Sequence, residues 1–333
     1  MSVSPRLIRR RIRSVQNTKK ITKAMEMVAA AKMRRAVAAA LKSRAYAKLA
    51  WRMIATLEGT VAEEIHPLLR APIGVTQRQL GGEGSLYIVM ASDRGLCGGF
   101  NAALFREVRR DVQERKETNV RFVAVGKKAE QFIRRQGWTL DASFTDIGAA
   151  PSIAALRPVA KIAMETFMRE EVHRVRIAFT DFISSLRQQP TVRTLLPLRR
   201  FTELETYSSS RQLDDSPSVR RDDDPSSARH FDDPGKEKSH TTHNAQTVQE
   251  FLFEPNPKAV LDTMLPRLVE LQVYQAYLDA GASEHSARML AMRSASDAAT
   301  DMIYSLTLSF NRARQAMITQ EIAEISAGSA ALA

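Results

Sequence analysis

The stretch Asp93–Asn101, DRGLCGGFN, gathers the residue types best suited to chemistry in this 333-residue chain. It follows an apolar run, GSLYIVMAS at Gly84–Ser92, and leads into a helical pattern at Asn101–Glu114. A glycine-rich turn in that position can aim backbone N–H groups and a helix N-terminus at a phosphate. The spacing is neither GxGxxG nor GxxxxGK followed by Ser or Thr, so it reads as a tight strand-to-helix turn. Cys97 lies inside it with no histidine near in sequence, and reads as a small packed residue rather than a nucleophile. As the only cysteine, it excludes an internal disulfide and any Cys-rich metal set. His230, His240 and His243 are irregularly spaced and lack a supporting thiol, so they read as part of a solvated stretch. His285 falls on a helical ladder and reads as packed. No catalytic, cofactor-binding or metal-ligating set is expected.

What the chain does carry is charge. The formal net charge is +12, which points to an acidic partner. Residues 1–52 hold fifteen Lys/Arg and one acid, Glu26. No run of apolar residues is long enough to span a membrane, and the N-terminus lacks the apolar core of a secretory signal.

The elements that must position this charge divide the chain into four. Residues 1–58 read as one helix. Ile8, Val15, Thr22, Ala29, Ala36, Ser43, Ala50 and Leu57 recur every seven residues; Ile12, Lys19, Glu26, Met33, Ala40, Ala47 and Ile54 follow each by four. That is a coiled-coil seam of mostly small residues, built for close approach of a second helix. Residues 59–205 read as an α/β domain. Strand-like runs at 84–92, 120–126, 175–182 and 191–198 alternate with helical patterns at 101–114, 127–135 and 153–169, which implies a largely parallel sheet ending in a hairpin. Residues 206–250 are rich in Ser, Asp, Pro and Arg, with nine acids against six bases; such a composition reads as disordered. Residues 251–333 read as a second long helix, with Asn256 as N-cap and Pro257 at its first position. Its ladder runs from Leu261, Leu265, Leu268 and Leu271 through Leu278, Ala282, His285, Met292 and Ala299 to Phe310, Ala313 and Met317. Pro266 and Gly281 are expected to weaken or kink it. A lone helix with one apolar seam is marginal in water, so the two ends are expected to pair as an antiparallel coiled coil. The fold class is α/β plus that coiled coil, with a Rossmann-like domain at one end of a rod.

This arrangement resembles the gamma chain family of F-type ATP synthases. The likeness rests on IRSVQNTKKITKAMEMVAAAKMRRA near the N-terminus, on ASDRGLCGGFN and LLPL in the middle, and on SEHSARMLAMRSASDAATDMI and LTLSFNRARQAMITQEIAEISAGSAAL near the C-terminus. It implies a non-catalytic rotor shaft without cofactors, turned by ion flow through a membrane ring and biasing ATP sites in surrounding chains. The implied partners are the alpha and beta chains of the head, with an epsilon chain and the membrane c-ring at the foot. By motif position the resemblance implies coupling contacts at Lys23 and Met25 on the first helix. On the second helix it implies them at Arg288, Arg314, Gln315, Thr319 and Glu321. A positive shaft suits the family's acidic beta-chain lever, because exposed charge pairs are worth only about 0–1 kcal/mol each and exchange readily. The apolar end, ISAGSAALA, is expected to run in a hydrophobic bearing.

Photosynthetic relatives carry an insertion near 206–250 with a regulatory dithiol. Without a cysteine there, that gating is excluded, and the stretch reads as a spacer. The expected location is the cytoplasmic face of a bacterial plasma (inner) membrane, peripheral, since no transit peptide precedes the helix. The alternative is a basic coiled-coil nucleic-acid-binding protein. The continuous Ala/Met seam speaks against it, because that seam demands a helical partner. A nucleotide-dependent α/β enzyme is disfavoured by the missing phosphate loop.

Overall fold

The computed structural model describes residues 5–58, 66–69, 84–115, 117, 119–149, 151–198 and 257–332. The polar stretch at 206–250, with its three histidines, and the N-cap position Asn256 lie outside the described residues.

Helix α1 runs Pro5–Glu58 without interruption. Over residues 5–42 its burial follows the seam; the seam positions Ser43, Ala47, Ala50, Ile54 and Leu57 lie outside the described side chains. Ile8, Thr22, Ala29, Ala36 and Ala40 are buried, while Ile12, Val15, Lys19, Glu26 and Met33 are half-buried. The central strand β1 (Gly84–Met90) is buried at every position. Helix α2 (Phe100–Arg115), strand β2 (Asn119–Val125), helix α3 (Lys127–Gln136) and strand β3 (Thr139–Phe144) follow. Then come helix α4 (Ile153–Met168) and strands β4 (Arg174–Phe182) and β5 (Gln188–Leu196). The last helix, α5, runs Pro257–Leu332, with Pro257 at its first position as expected.

The sheet order is β3-β2-β1-β4-β5. All pairs are parallel except β4–β5, which form the expected hairpin. Alternate residues of β1 face opposite layers, as the pleat requires. Leu86, Ile88 and Met90 face α4 and α5; Tyr87 and Val89 face α2 and α3. A buried polar cluster fastens α2 to the sheet: Tyr87 Oη donates to Asp111 (2.8 Å), and Arg176 pairs with the same carboxylate. Burial pushes the Tyr87 hydroxyl far above its ordinary value, so it stays a donor. At the β2–α3 turn, Gly126 has φ 98°, and a Cβ there would lie 2.1 Å from the Ala91 carbonyl oxygen. Only glycine fits that approach.

Helix α5 begins as part of this domain. Leu261, Leu265, Leu268, Val269, Val273, Ala276 and Ala280 belong to the same core layer as Leu156, Val159 and Ala163 of α4. Further along, α5 pairs with α1 as an antiparallel coiled coil. Neither Pro266 nor Gly281 breaks the helix. Both are half-buried, and packing from the domain supplies what the missing N–H and missing side chain withhold. At about 1.5 Å per residue, α1 is roughly 80 Å long and α5 roughly 110 Å.

Candidate coupling surface

In an open parallel sheet, ligands bind beyond the carboxyl ends of the strands, where the strand order reverses. Here that point lies between β1 and β4, and α5 occupies it. Ser283 Oγ donates to the Thr180 carbonyl (3.0 Å), and Ser286 Oγ donates to the Ser185 carbonyl (2.6 Å). Gln188 Nε2 donates to Ser286 Oγ (3.3 Å). On the other side, Arg288 donates to the carbonyls of Arg94 (3.2 Å) and Gly95 (3.3 Å) in the β1–α2 loop. Two loops therefore grip the helix from opposite flanks.

The DRGLCGGFN turn is organised for that grip. The Asp93 carboxylate accepts the backbone N–H groups of Lys127 (3.0 Å) and Asp146 (3.2 Å). Cys97 is buried and accepts from Asn101 Nδ2 (3.3 Å), a packed residue as expected. Two leucines stand bare on the gripping loops: Leu96, at φ 64° and 62% exposed, and Leu186, 79% exposed.

Electrostatics sharpen the joint. Arg288 pairs with Glu284 at 2.7 Å and bonds His285 Nδ1 at 3.2 Å. Burial pushes the Glu284 carboxyl upward against the pull of Arg288. Burial, helped by the charges of Arg288 and of Lys32 on α1, pushes His285 down to about 4. His285 is thus neutral near pH 7, accepting at Nδ1, and packed as its ladder position implied.

The structure brings the expected contact residues to three separate places. Lys23 is exposed and tied to Glu26 at 3.0 Å, and Met25 beside it is half-buried. Arg288 sits in the joint with its guanidinium turned inward. Arg314, Gln315, Thr319 and Glu321 are all exposed, on a part of α5 where every described side chain from 314 to 327 is bare. The coiled-coil seam fades through half-buried Ile303, Leu306, Phe310 and Ala313, and beyond it, among the described residues, α5 continues alone. Sequence reading missed the gripping serines and strand β3. Ser283 and Ser286 stand three apart on one helix face, which is the signal for a shared contact. Their acceptors are main-chain carbonyls, which no sequence pattern marks.

A long two-helix shaft, keyed into an α/β domain that fills its own ligand crevice with a helix, defines a stalk-type protein built for mechanical contact. Comparison with known proteins gives the family. The ATP synthase family model matches residues 4–332. The ATP synthase gamma chain of Heliobacterium modesticaldum is 39% identical over 325 residues, covering 98% of each chain. That of Alkaliphilus metalliredigens is 35% identical over 332 residues, covering 100% of each. The chain belongs to the ATP synthase gamma chain family. Among solved structures, the fold is shared by a chain of the Euglena gracilis mitochondrial ATP synthase, in an OSCP/F1/c-ring structure. Its TM-score is 0.60 at 20% identity, covering 98% of this chain and 94% of that one. It is shared also by a chain of the Tetrahymena thermophila mitochondrial central stalk and c-ring, with a TM-score of 0.51 at 22% identity, covering 83% and 99%. Nothing in this membership supports the nucleic-acid alternative.

Proposed function

We propose that the chain is the central, non-catalytic shaft of a rotary ATP synthase. It turns inside a head of alpha and beta chains, with an epsilon chain and a membrane c-ring at its foot. The observation that carries this reading is the bare distal helix. From 314 to 327 no described side chain is covered, yet Met317, Ile318, Ile322 and Ile325 are each 45–73% exposed. A lone helix with that much apolar surface is stable in water only inside a sleeve, and the alpha/beta head is the sleeve.

In this reading Arg314, Gln315, Thr319 and Glu321 meet the head at the distal helix, and Lys23 and Met25 meet a beta-chain lever lower down. Arg288 acts on the same contact from inside, by holding the β1–α2 loop against α5. Each beta chain meets a different face of the shaft, so rotation biases each catalytic site in turn, a population shift driven by differential contacts. No helix of the described residues is long and apolar enough to cross a membrane; attachment is peripheral, through the complex, at the cytoplasmic face of a bacterial plasma membrane.

Purification of a tagged chain from its native host tests the reading. Alpha- and beta-type chains in threefold excess, with ATPase activity, are the expected result. Recovery alone, or with nucleic acid released by salt, overturns it.

A further inference from the structure

Away from the coupling surface, the chain re-enters the domain through a short 3-10 turn, Pro67–Leu69. His66 precedes it and is 8% exposed. Its Nδ1 accepts the backbone N–H of Leu68 at 3.1 Å. The ring's proton in the neutral form therefore sits on Nε2, which lies 3.5 Å from Asp262 Oδ1 on the first turns of α5. Leu68 is fully buried in the core layer shared by α4 and α5, and its carbonyl accepts from Leu198 N–H at 2.9 Å. This one turn thus touches the core, the end of β5 and the root of α5.

We infer that His66 is a proton-sensitive clasp between the domain and the root of the shaft helix. It is closed while the ring is neutral and opened when it takes a second proton. That proton must go to Nδ1, where it meets the Leu68 N–H: two donors face each other, and the turn has to give way. Among the described residues, the charges facing His66 are Asp262, which favours protonation, and Lys258, which opposes it, both on α5. Burial opposes it most strongly and holds His66 below its ordinary value. Asp262 is half-exposed, with 51% of its side chain in solvent, so its pull is screened. Acidification thus loosens the root of the shaft through a group separate from the joint at Arg288.

The test uses the full chain, with ¹⁵N-labelled histidine and hydrogen exchange followed from pH 5 to 7.5 and corrected for intrinsic rates. The expected results are an Nε2–H tautomer at neutral pH and slow exchange at the Leu68 and Leu69 amides. Opening should rise as the pH falls below the ordinary histidine value, by at most about tenfold per pH unit. His66→Asn keeps an acceptor where Nδ1 stood and does not titrate, so its exchange should stay slow and flat with pH. An Nδ1–H tautomer, a flat profile in the parent chain, or the same slope in His66→Asn overturns the clasp. Should His66→Asn fail to fold, the parent's tautomer and slope decide alone.

Discussion

The two ends of α5 are built from similar residues and live in opposite surroundings. Leu265 and Val273, near its start, are fully buried in the domain core; Ile322 and Ile325, near its end, are 60% and 73% exposed. Between them a middle section has one covered stripe, matched to α1. The same helical periodicity therefore serves three solvents in turn: a protein core, a single partner helix, and open water awaiting a partner. Apolar content alone does not tell these apart, because burial depends on what else packs against the helix. The difference between the ends separates what stabilises the chain from what the chain offers to others.

That contrast is most directly broken by truncating side chains at each end. Leu265→Ala should lower stability by about 3 kcal/mol, the usual loss for a leucine in a closed core, read as a fall in the urea midpoint of the purified chain. An equal loss from Ile325→Ala would erase the distinction between the ends.

The middle section is probed by overpacking. Ala36 is wholly buried in the seam, and Ala36→Leu should cost about 2 kcal/mol by forcing the helices apart. Thermal unfolding followed by circular dichroism would register it. Ala38→Leu, on the exposed face, should change little.

The joint adds a pH dependence that the bare end lacks. The unfolded chain protonates His285 near 6.5, and the folded chain only near 4. Its contribution is therefore complete above pH 6.5 and is lost as the pH falls toward 4, by about 3 kcal/mol at most. Glu284, with its pKa raised, acts in the opposite sense. The difference in urea stability between the parent and His285→Gln, across pH 4–8, should isolate the histidine and flatten above 6.5.

Smaller still, Ser286→Ala removes the bond to the Ser185 carbonyl and should cost about 1 kcal/mol. Faster hydrogen exchange in the β4–β5 turn is its signature. At the bare end, Met317→Ala should shift the stability of the isolated chain by less than about 0.5 kcal/mol. In the proposed function it should instead weaken assembly with alpha and beta chains, measured as recovered ATPase activity.

Much of this was legible in advance. The seam of α1 and the ladder of α5 were readable because a helix repeats its environment every few residues, so local spacing reports which side is covered. β1, β2 and β4 announced themselves as apolar runs. β3 did not: TLDASF is a half-exposed edge strand whose Thr, Asp and Ser dilute any pattern. That Pro266 and Gly281 leave α5 unbroken was not readable from their own residue types, for a similar reason. Propensity is a local quantity, and the packing that overrides it comes from α4 and the sheet.

The expected contact residues were legible only through family resemblance, and their settings were not legible at all. Lys23, Arg288 and Arg314 are all basic residues on long helices. One is exposed beside a neighbouring acid, one is turned inward onto loop carbonyls, and one is bare on a lone helix. By itself the sequence determined two long helices with matched seams, a parallel α/β domain and a positive shaft, because period, propensity and charge are written residue by residue. Only the tertiary structure decided that α5 fills the crevice of the sheet, that its serines and Arg288 grip main-chain carbonyls, and where α1 ceases to cover it. Those facts depend on where distant segments meet, and backbone acceptors carry no side-chain signature to announce them.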